Sequence, residues 1–349
     1  RVGIQFFARD FGSQGNNNVV VDWAYADYAW KDYLGIRFGK FKTAQGLYGQ
    51  GRDVDMLRPT ILLPQSVYNE AHRDFILGVE GLGFHGNIPL GEVGGLDYEI
   101  YGGTLNIPDV NDGFWQDTFR EVGLTEARSF VGPLSDDASI DFLGVIEPRV
   151  HFDYLYGGGL FWNCPVSGVR LGISSLAARF DMQSRMQFLI HDPAAADPSE
   201  YVDLPMTFQG DLSRAMVLSG EWVGDRVTLT SEYYQERVND VTSEGYYVQG
   251  SLQMTPETQA TAYFSRFLRD REDGGGDRYV AAGYPDYVGW QNDYCLALRV
   301  DPMERLVLKF EYHSIDGMGL LSLAHNDIDD DDAYKRWWSF IAAKATVHF

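Results

Sequence analysis

Apolar and polar residues alternate at every second position through much of this chain. In Arg305 to His313, Leu306, Leu308, Phe310 and Tyr312 share one parity, and Arg305, Lys309, Glu311 and His313 share the other. In Arg226 to Glu236, Val227, Leu229 and Tyr233 oppose Arg226, Thr228, Thr230, Glu232 and Glu236. In Asp293 to Val300, Tyr294, Leu296, Leu298 and Val300 oppose Asp293, Cys295 and Arg299. A period of two is that of a β-strand with two chemically different faces. A soluble sandwich also alternates, but it hides its apolar face in a core about 10 Å thick. Here the polar faces carry full charges of both signs, strand after strand. The runs are about 9–12 residues long, which is what a tilted strand needs to cross the hydrocarbon of a bilayer. The pattern predicts strands with one face to lipid and one to an aqueous lumen.

Fourteen strands are expected, near 1–11, 19–30, 33–42, 75–87, 95–104, 148–157, 168–181, 211–223, 226–237, 244–255, 259–268, 289–301, 305–315 and 336–349. Residues 158–167 extend the sixth strand or form a wide turn. Short connections at 31–32, 224–225, 256–257 and 302–303 alternate with long ones near 43–73, 105–147, 183–209, 270–288 and 316–335. Transmembrane barrels have short periplasmic turns and long outer loops, whereas a sandwich has no reason to put its long loops on one side. In the last strand Trp337, Ile341, Ala343, Ala345, Val347 and Phe349 fall on one parity. A terminal aromatic on such a strand resembles the signal by which outer-membrane proteins are recognised for insertion. The sequence therefore predicts an all-β protein, a transmembrane antiparallel β-barrel forming a single domain over 1–349, in the outer membrane of a Gram-negative bacterium. No signal peptide stands at Arg1, so a mature or trimmed form is expected.

Composition refines this picture. Mean hydropathy is −0.25, and no stretch approaches the roughly 18–20 apolar residues of a membrane helix. A barrel escapes such a scan because only alternate residues face lipid. The net charge of −22 argues against nucleic-acid binding. The two cysteines, Cys164 and Cys295, lack metal-ligand spacing in sequence. They read as two unpaired small residues, with a disulfide as the minor alternative. No G-x-S-x-G, H-E-x-x-H or Walker A pattern is present, so no enzyme is expected. The run Asn326 to Asp332 offers Asp327, Asp329, Asp330 and Asp331 as oxygen ligands for Ca²⁺, against a solvated acidic tip. No other cofactor is expected. Trp23, Tyr25, Trp30, Tyr33, Trp222, Tyr246, Tyr312 and Trp337 are candidates for interfacial girdles.

Segment 39–68, with Gly39, Lys40, Lys42, Gly46, Tyr48, Arg52 and Asp53, resembles a stretch of the Gram-negative trimeric porins, including the phosphate-selective and DcaP-like branches. Segments 22–40 and 157–172 look like the same group. Ala44 and Gly49 depart from it, standing where relatives often have Pro and Asn. The resemblance implies a homotrimer in outer-membrane lipid and lipopolysaccharide, and sixteen strands in the intact protein. It also implies that the loop at 43–73 folds inward as a constriction. Arg52, Asp53, Asp55, Arg58, Glu70 and Arg73 would line it, facing wall residues Arg9, Arg37, Glu80, Asp97, Glu99, Arg149, His151, Asp153 and Arg170. The expected function is passive diffusion of small hydrophilic or charged solutes and ions through a charge-lined channel. A structural or accessory barrel, serving adhesion, a surface layer or an electron conduit, is the alternative.

Overall fold

Fifteen strands form one antiparallel sheet among the described residues. They are β1 (Val2–Phe7), β2 (Val20–Lys31), β3 (Leu34–Lys42), β4 (Gly78–Pro89), β5 (Gly95–Leu105), β6 (Ser139–Asn163), β7 (Val169–His191), β8 (Ser199–Gln209), β9 (Ser213–Val223), β10 (Val227–Val238), β11 (Val241–Thr255), β12 (Thr258–Leu268), β13 (Trp290–Met303), β14 (Leu306–Gly317) and β15 (Trp337–Val347). The computed structural model describes residues 1–8, 19–70, 78–105, 119–120, 123, 139–194, 199–209, 213–321 and 334–347. Fourteen strands follow one another as neighbours from β1 to β15, and these match the fourteen alternating runs of the sequence. Among the described residues β1 and β15 are the two ends of the sheet.

The burial pattern is that of a soluble protein turned inside out. Lys309, Glu311, His313, Glu232 and Gln249 are each at most 2% exposed, while Leu296 is 62%, Ile341 78% and Phe38 68% exposed. Only a lipid-facing surface rewards that arrangement. Aromatics mark both rims of the exposed band. Trp30, Tyr33, Trp162 and Trp222 lie beside the short turns; Tyr246, Tyr294, Tyr312 and Trp337 lie toward the opposite end. Trp23 and Tyr25 are not in a girdle. They share parity with the buried Asp27, and the Arg37 guanidinium sits 5.0 Å from the Tyr25 ring centroid on the inner face.

Two expected loops are partly sheet. β6 and β7 run for 25 and 23 residues, and the expected 183–209 loop is the end of β7 followed by β8, which pairs with it. At roughly 3.3 Å per residue such strands run well beyond a hydrocarbon layer about 30 Å thick. The chemistry of β7 inverts along its length. Near the short turn its outward residues are Leu171 and Ile173, and its inward ones are Arg170 and Ser174. Farther along, Phe180, Met182, Met186, Phe188 and Ile190 are buried, while Arg179, Gln183 and Arg185 are exposed. The inversion marks where the strand leaves the membrane and becomes an ordinary water-facing sheet. Alternation alone reads as strand or loop there because the polar parity has switched. One further departure is the turn Asn239–Asp240, which joins β10 to β11 tightly on the side of the long loops.

The sheet is strongly curled. Gly46 bonds to Ser174 on β7, and Asp55 bonds to Lys344 and Thr346 on β15, seven strand steps away. A flat sheet would separate those strands by about 34 Å, more than nine residues of turn-containing chain span. The inner face must therefore bend around the segment that follows β3.

Candidate functional site

Segment 43–70 leaves the end of β3 and crosses the inner face as a strap. Its backbone and side chains are seized in turn by strands on the far wall. Gly46 N donates to Ser174 Oγ at 2.9 Å, and Leu47 N to Glu232 Oε1 at 2.8 Å. Glu232, on β10, also accepts from Ser219 Oγ at 2.6 Å, Tyr247 Oη at 2.7 Å and Tyr68 Oη. Leu63, Val67 and Tyr68 of the strap pack against Val217, Tyr234 and Tyr247 of the wall. Burial and the Glu232 charge push the Tyr68 hydroxyl well above its usual pKa, so it stays a donor. Burial, with Glu221 and Glu232, pushes that of Tyr48 up to about 12. Gly46 is required where it stands: its φ is +59°, and a Cβ would strike Glu232 Oε1 and Tyr68 Oη.

The tip of the strap is held by β13, β14 and β15. Lys309 Nζ donates to the carbonyls of Asp55 at 2.7 Å, Arg58 at 2.9 Å and Thr60 at 3.2 Å. The Asp55 carboxylate accepts from Lys344 Nζ at 2.9 Å and Thr346 Oγ1 at 2.7 Å. Burial alone would raise the pKa of Asp55, but the bonds from Thr346, Lys344 and Lys309 outweigh it and hold the carboxyl well below its usual value. Arg299 Nη1 donates to Met56 O at 2.8 Å. Glu311 accepts from the amides of Ile61 and Leu62.

The remaining expected constriction residues also serve the strap. Arg52 is fully buried within it, donating to Tyr68 O at 2.8 Å and to Glu70 Oε1 at 2.8 Å. Asp53 pairs with Lys42 on β3, and Arg58 with Asp55 at 3.3 Å. These charges are neutralised against their neighbours rather than set as an acidic wall facing a basic one. Arg73 lies outside the described residues.

On the near wall, Arg37 Nε lies 3.0 Å from Asp27 Oδ2, His85 Nε2 lies 3.0 Å from the same oxygen, and Gln50 of the strap donates to Glu99 Oε1 at 2.9 Å. Asp97 and Arg170, 3.4 Å apart and each about a third exposed, form a partly exposed pair on the inner face. Arg37, Asp97, Glu99 and Arg170 thus stand on the inner wall. Glu80 does not: it shares the outward parity of Leu82, opposite Lys40, while Val79 is buried inside. Arg149 and His151 lie on the exposed face, opposite the buried Phe152, and Asp153 sits in the bulge between Phe152 and Tyr154. Three register shifts in β6 reset its parity, which a count of every second residue does not detect. Arg9 and the acidic run with Asp327, Asp329, Asp330 and Asp331 lie outside the described residues, as does Phe349.

Sequence reasoning did not single out the far-wall anchors Glu232, Arg299, Lys309, Glu311 and Lys344 as site residues. The signal for them was their place on the polar parity of the second-half strands.

No described protein family matches the sequence, and no curated protein matches it. Solved structures do. A loop-deletion form of OmpT, an outer-membrane protein of Vibrio cholerae, matches with TM-score 0.50 at 9% identity, covering 99% of this chain and 84% of that one. The outer-membrane channel DcaP of Acinetobacter baumannii gives 0.47 at 10% identity, with 99% and 79% covered. An anion-selective porin from Comamonas acidovorans gives 0.44 at 6% identity, with 84% and 67% covered. At such identities the likeness concerns fold, and the first match carries it. The chain shares the β-barrel fold of that outer-membrane protein.

Proposed function

We propose that this protein is a porin that lets small hydrophilic or charged solutes diffuse passively through a water-filled lumen narrowed by the strap at 43–70. The observation that carries this reading is the attachment of that strap to eight strands beyond β3, namely β5, β7, β10, β11, β12, β13, β14 and β15. A segment held at so many points fixes a cross-section, and a fixed cross-section sorts solutes by size and charge. The partly exposed Asp97–Arg170 pair and the half-buried Lys344 supply charges of both signs beside it. No catalytic set, cofactor or energy source enters this mechanism. Assembly as a homotrimer in lipid and lipopolysaccharide belongs to the same proposal. Liposome swelling tests it: vesicles carrying the protein should admit small sugars at rates that fall steeply with solute size. Rates equal to those of empty vesicles would contradict it.

A further inference from the structure

One cluster on the inner wall has two members, Cys295 and His313, that play no part in the strap contacts described above. Cys295 on β13 and His313 on β14 are register partners, and Glu311 stands two residues before His313 on the same face. His313 Nε2 is 3.7 Å from Cys295 Sγ and 3.3 Å from Glu311 Oε2. The three ligand-type atoms lie within 4.8 Å of one another, and all three side chains are buried. Tetrahedral zinc has Zn–S of about 2.3 Å and Zn–N or Zn–O of about 2.0 Å, which places S and N about 3.5 Å apart and N and O about 3.3 Å apart. The two edges to His313 Nε2, 3.7 and 3.3 Å, are close to those values.

The surroundings suit a metal too. His313 Nδ1 is 3.0 Å from Asp293 Oδ1, and Asp293 in turn accepts from Tyr263 Oη at 3.1 Å. A carboxylate on the distal nitrogen fixes the ring and turns Nε2 toward a metal. Phe340 stacks on the imidazole, with centroids 4.2 Å apart and planes 10° from parallel, and so fixes its tilt. Cys295 occupies an inward, polar-parity position and is 2% exposed; it packs with Tyr263 and Ala297, and its polar contact is His313 Nε2. Glu311 accepts from Ile61 N at Oε1 and from Leu62 N at Oε2, and Oε2 also faces the histidine, 3.3 Å from Nε2.

We infer that Cys295, Glu311 and His313 form a binding site for a thiophilic divalent cation of the Zn²⁺ class, with Asp293 orienting the histidine. Binding releases the Cys295 thiol proton, and any proton on His313 Nε2, to water, because thiolate and neutral imidazole are the ligating forms. Since Glu311 also holds Ile61 and Leu62, the ion would tie the wall to the tip of the strap.

Co²⁺ alone is the probe, added to the reduced full chain in detergent. In a Cys164→Ser variant Cys295 is the remaining thiol. This variant should bind one Co²⁺ per chain, with a near-ultraviolet thiolate-to-cobalt charge-transfer band and the intense visible absorption of a four-coordinate site. One equivalent of Zn²⁺ should abolish both. Cys295→Ser should remove the charge-transfer band, and Asp293→Asn should weaken binding about 10–100-fold. No cobalt binding by Cys164→Ser, binding without the charge-transfer band, or a band that persists in Cys295→Ser would overturn the site. If Cys295→Ser does not fold, the Cys164→Ser spectrum decides alone.

Discussion

Lys309 on β14 and Asp55 of the strap are joined on the inner face of the sheet. The Lys309 ammonium lies 3.0 Å from Asp55 Oδ1 and also bonds to the Asp55 carbonyl, so one wall lysine binds one strap residue through both side chain and backbone. The same ammonium reaches two more strap carbonyls, and both side chains are buried. Removing one member of a buried charged pair leaves its partner without compensation. Lys309→Met should therefore lower stability by about 3 kcal/mol. It should also raise open-channel current noise as the strap tip loosens. Thermal unfolding followed by heat-dependent gel mobility checks the first effect, and single-channel recording the second.

The same latch has a defined acid limit. Asp55 has a folded-state pKa held below its ordinary value of 3.8. A depressed carboxylate contributes stability that is fully present above the unfolded value and is lost as pH falls through the folded one. The strap should stay seated at pH 5 and loosen only well below pH 4. Asp55→Asn should remove this acid-dependent component while leaving the protein less stable at pH 7. Limited proteolysis of the strap across pH reads the seating, and equal acid sensitivity in the wild type and Asp55→Asn would contradict the assignment.

At the other end of the strap, Gly46→Ala forces a Cβ into Glu232 and Tyr68 at a left-handed φ. Unseating that turn should cost about 2 kcal/mol. Glu232→Gln exchanges a carboxylate accepting four donors for an amide with one oxygen, and should cost about 1–3 kcal/mol. Both variants should still form the barrel, because the wall ladders do not pass through these contacts. Loss of heat-modifiable mobility in either would show that the strap is needed for folding instead.

The inversion along β7 predicts two responses to one substitution. Leu296→Arg, midway along β13 on the exposed apolar face, should destabilise by about 2–4 kcal/mol. Gln187→Arg, on the outward face of the β7 extension, should stay within about 0.5 kcal/mol. Equal costs would place both positions in the same medium.

Much of the barrel was legible because alternation is local. Leu306 to His313 declare their two faces without reference to any other strand. What alternation does not carry is a change of parity. The bulges of β6 turned Arg149 and His151 outward, and the polarity switch in β7 disguised 23 residues of strand as a strand followed by a loop. Glu80 misled for a related reason: a charge near a strand end beside Lys40 is tolerated on the outer face, so charge alone did not reveal its side. The strap was suggested by likeness of a short segment. Its partners Glu232, Lys309 and Lys344 depend on contacts spanning up to 289 residues, which no local pattern encodes. Cys295 and His313 became neighbours only through the β13–β14 register.

The central claim is a solute channel whose width is set by the strap. Single-channel conductance in a planar bilayer tests it most directly, comparing the wild type with a variant in which residues 47–66 are replaced by a short Gly-Ser linker. The account predicts steady, ohmic conductance for the wild type and a several-fold larger one for the shortened strap. A silent bilayer, or the same conductance from both proteins, would contradict it.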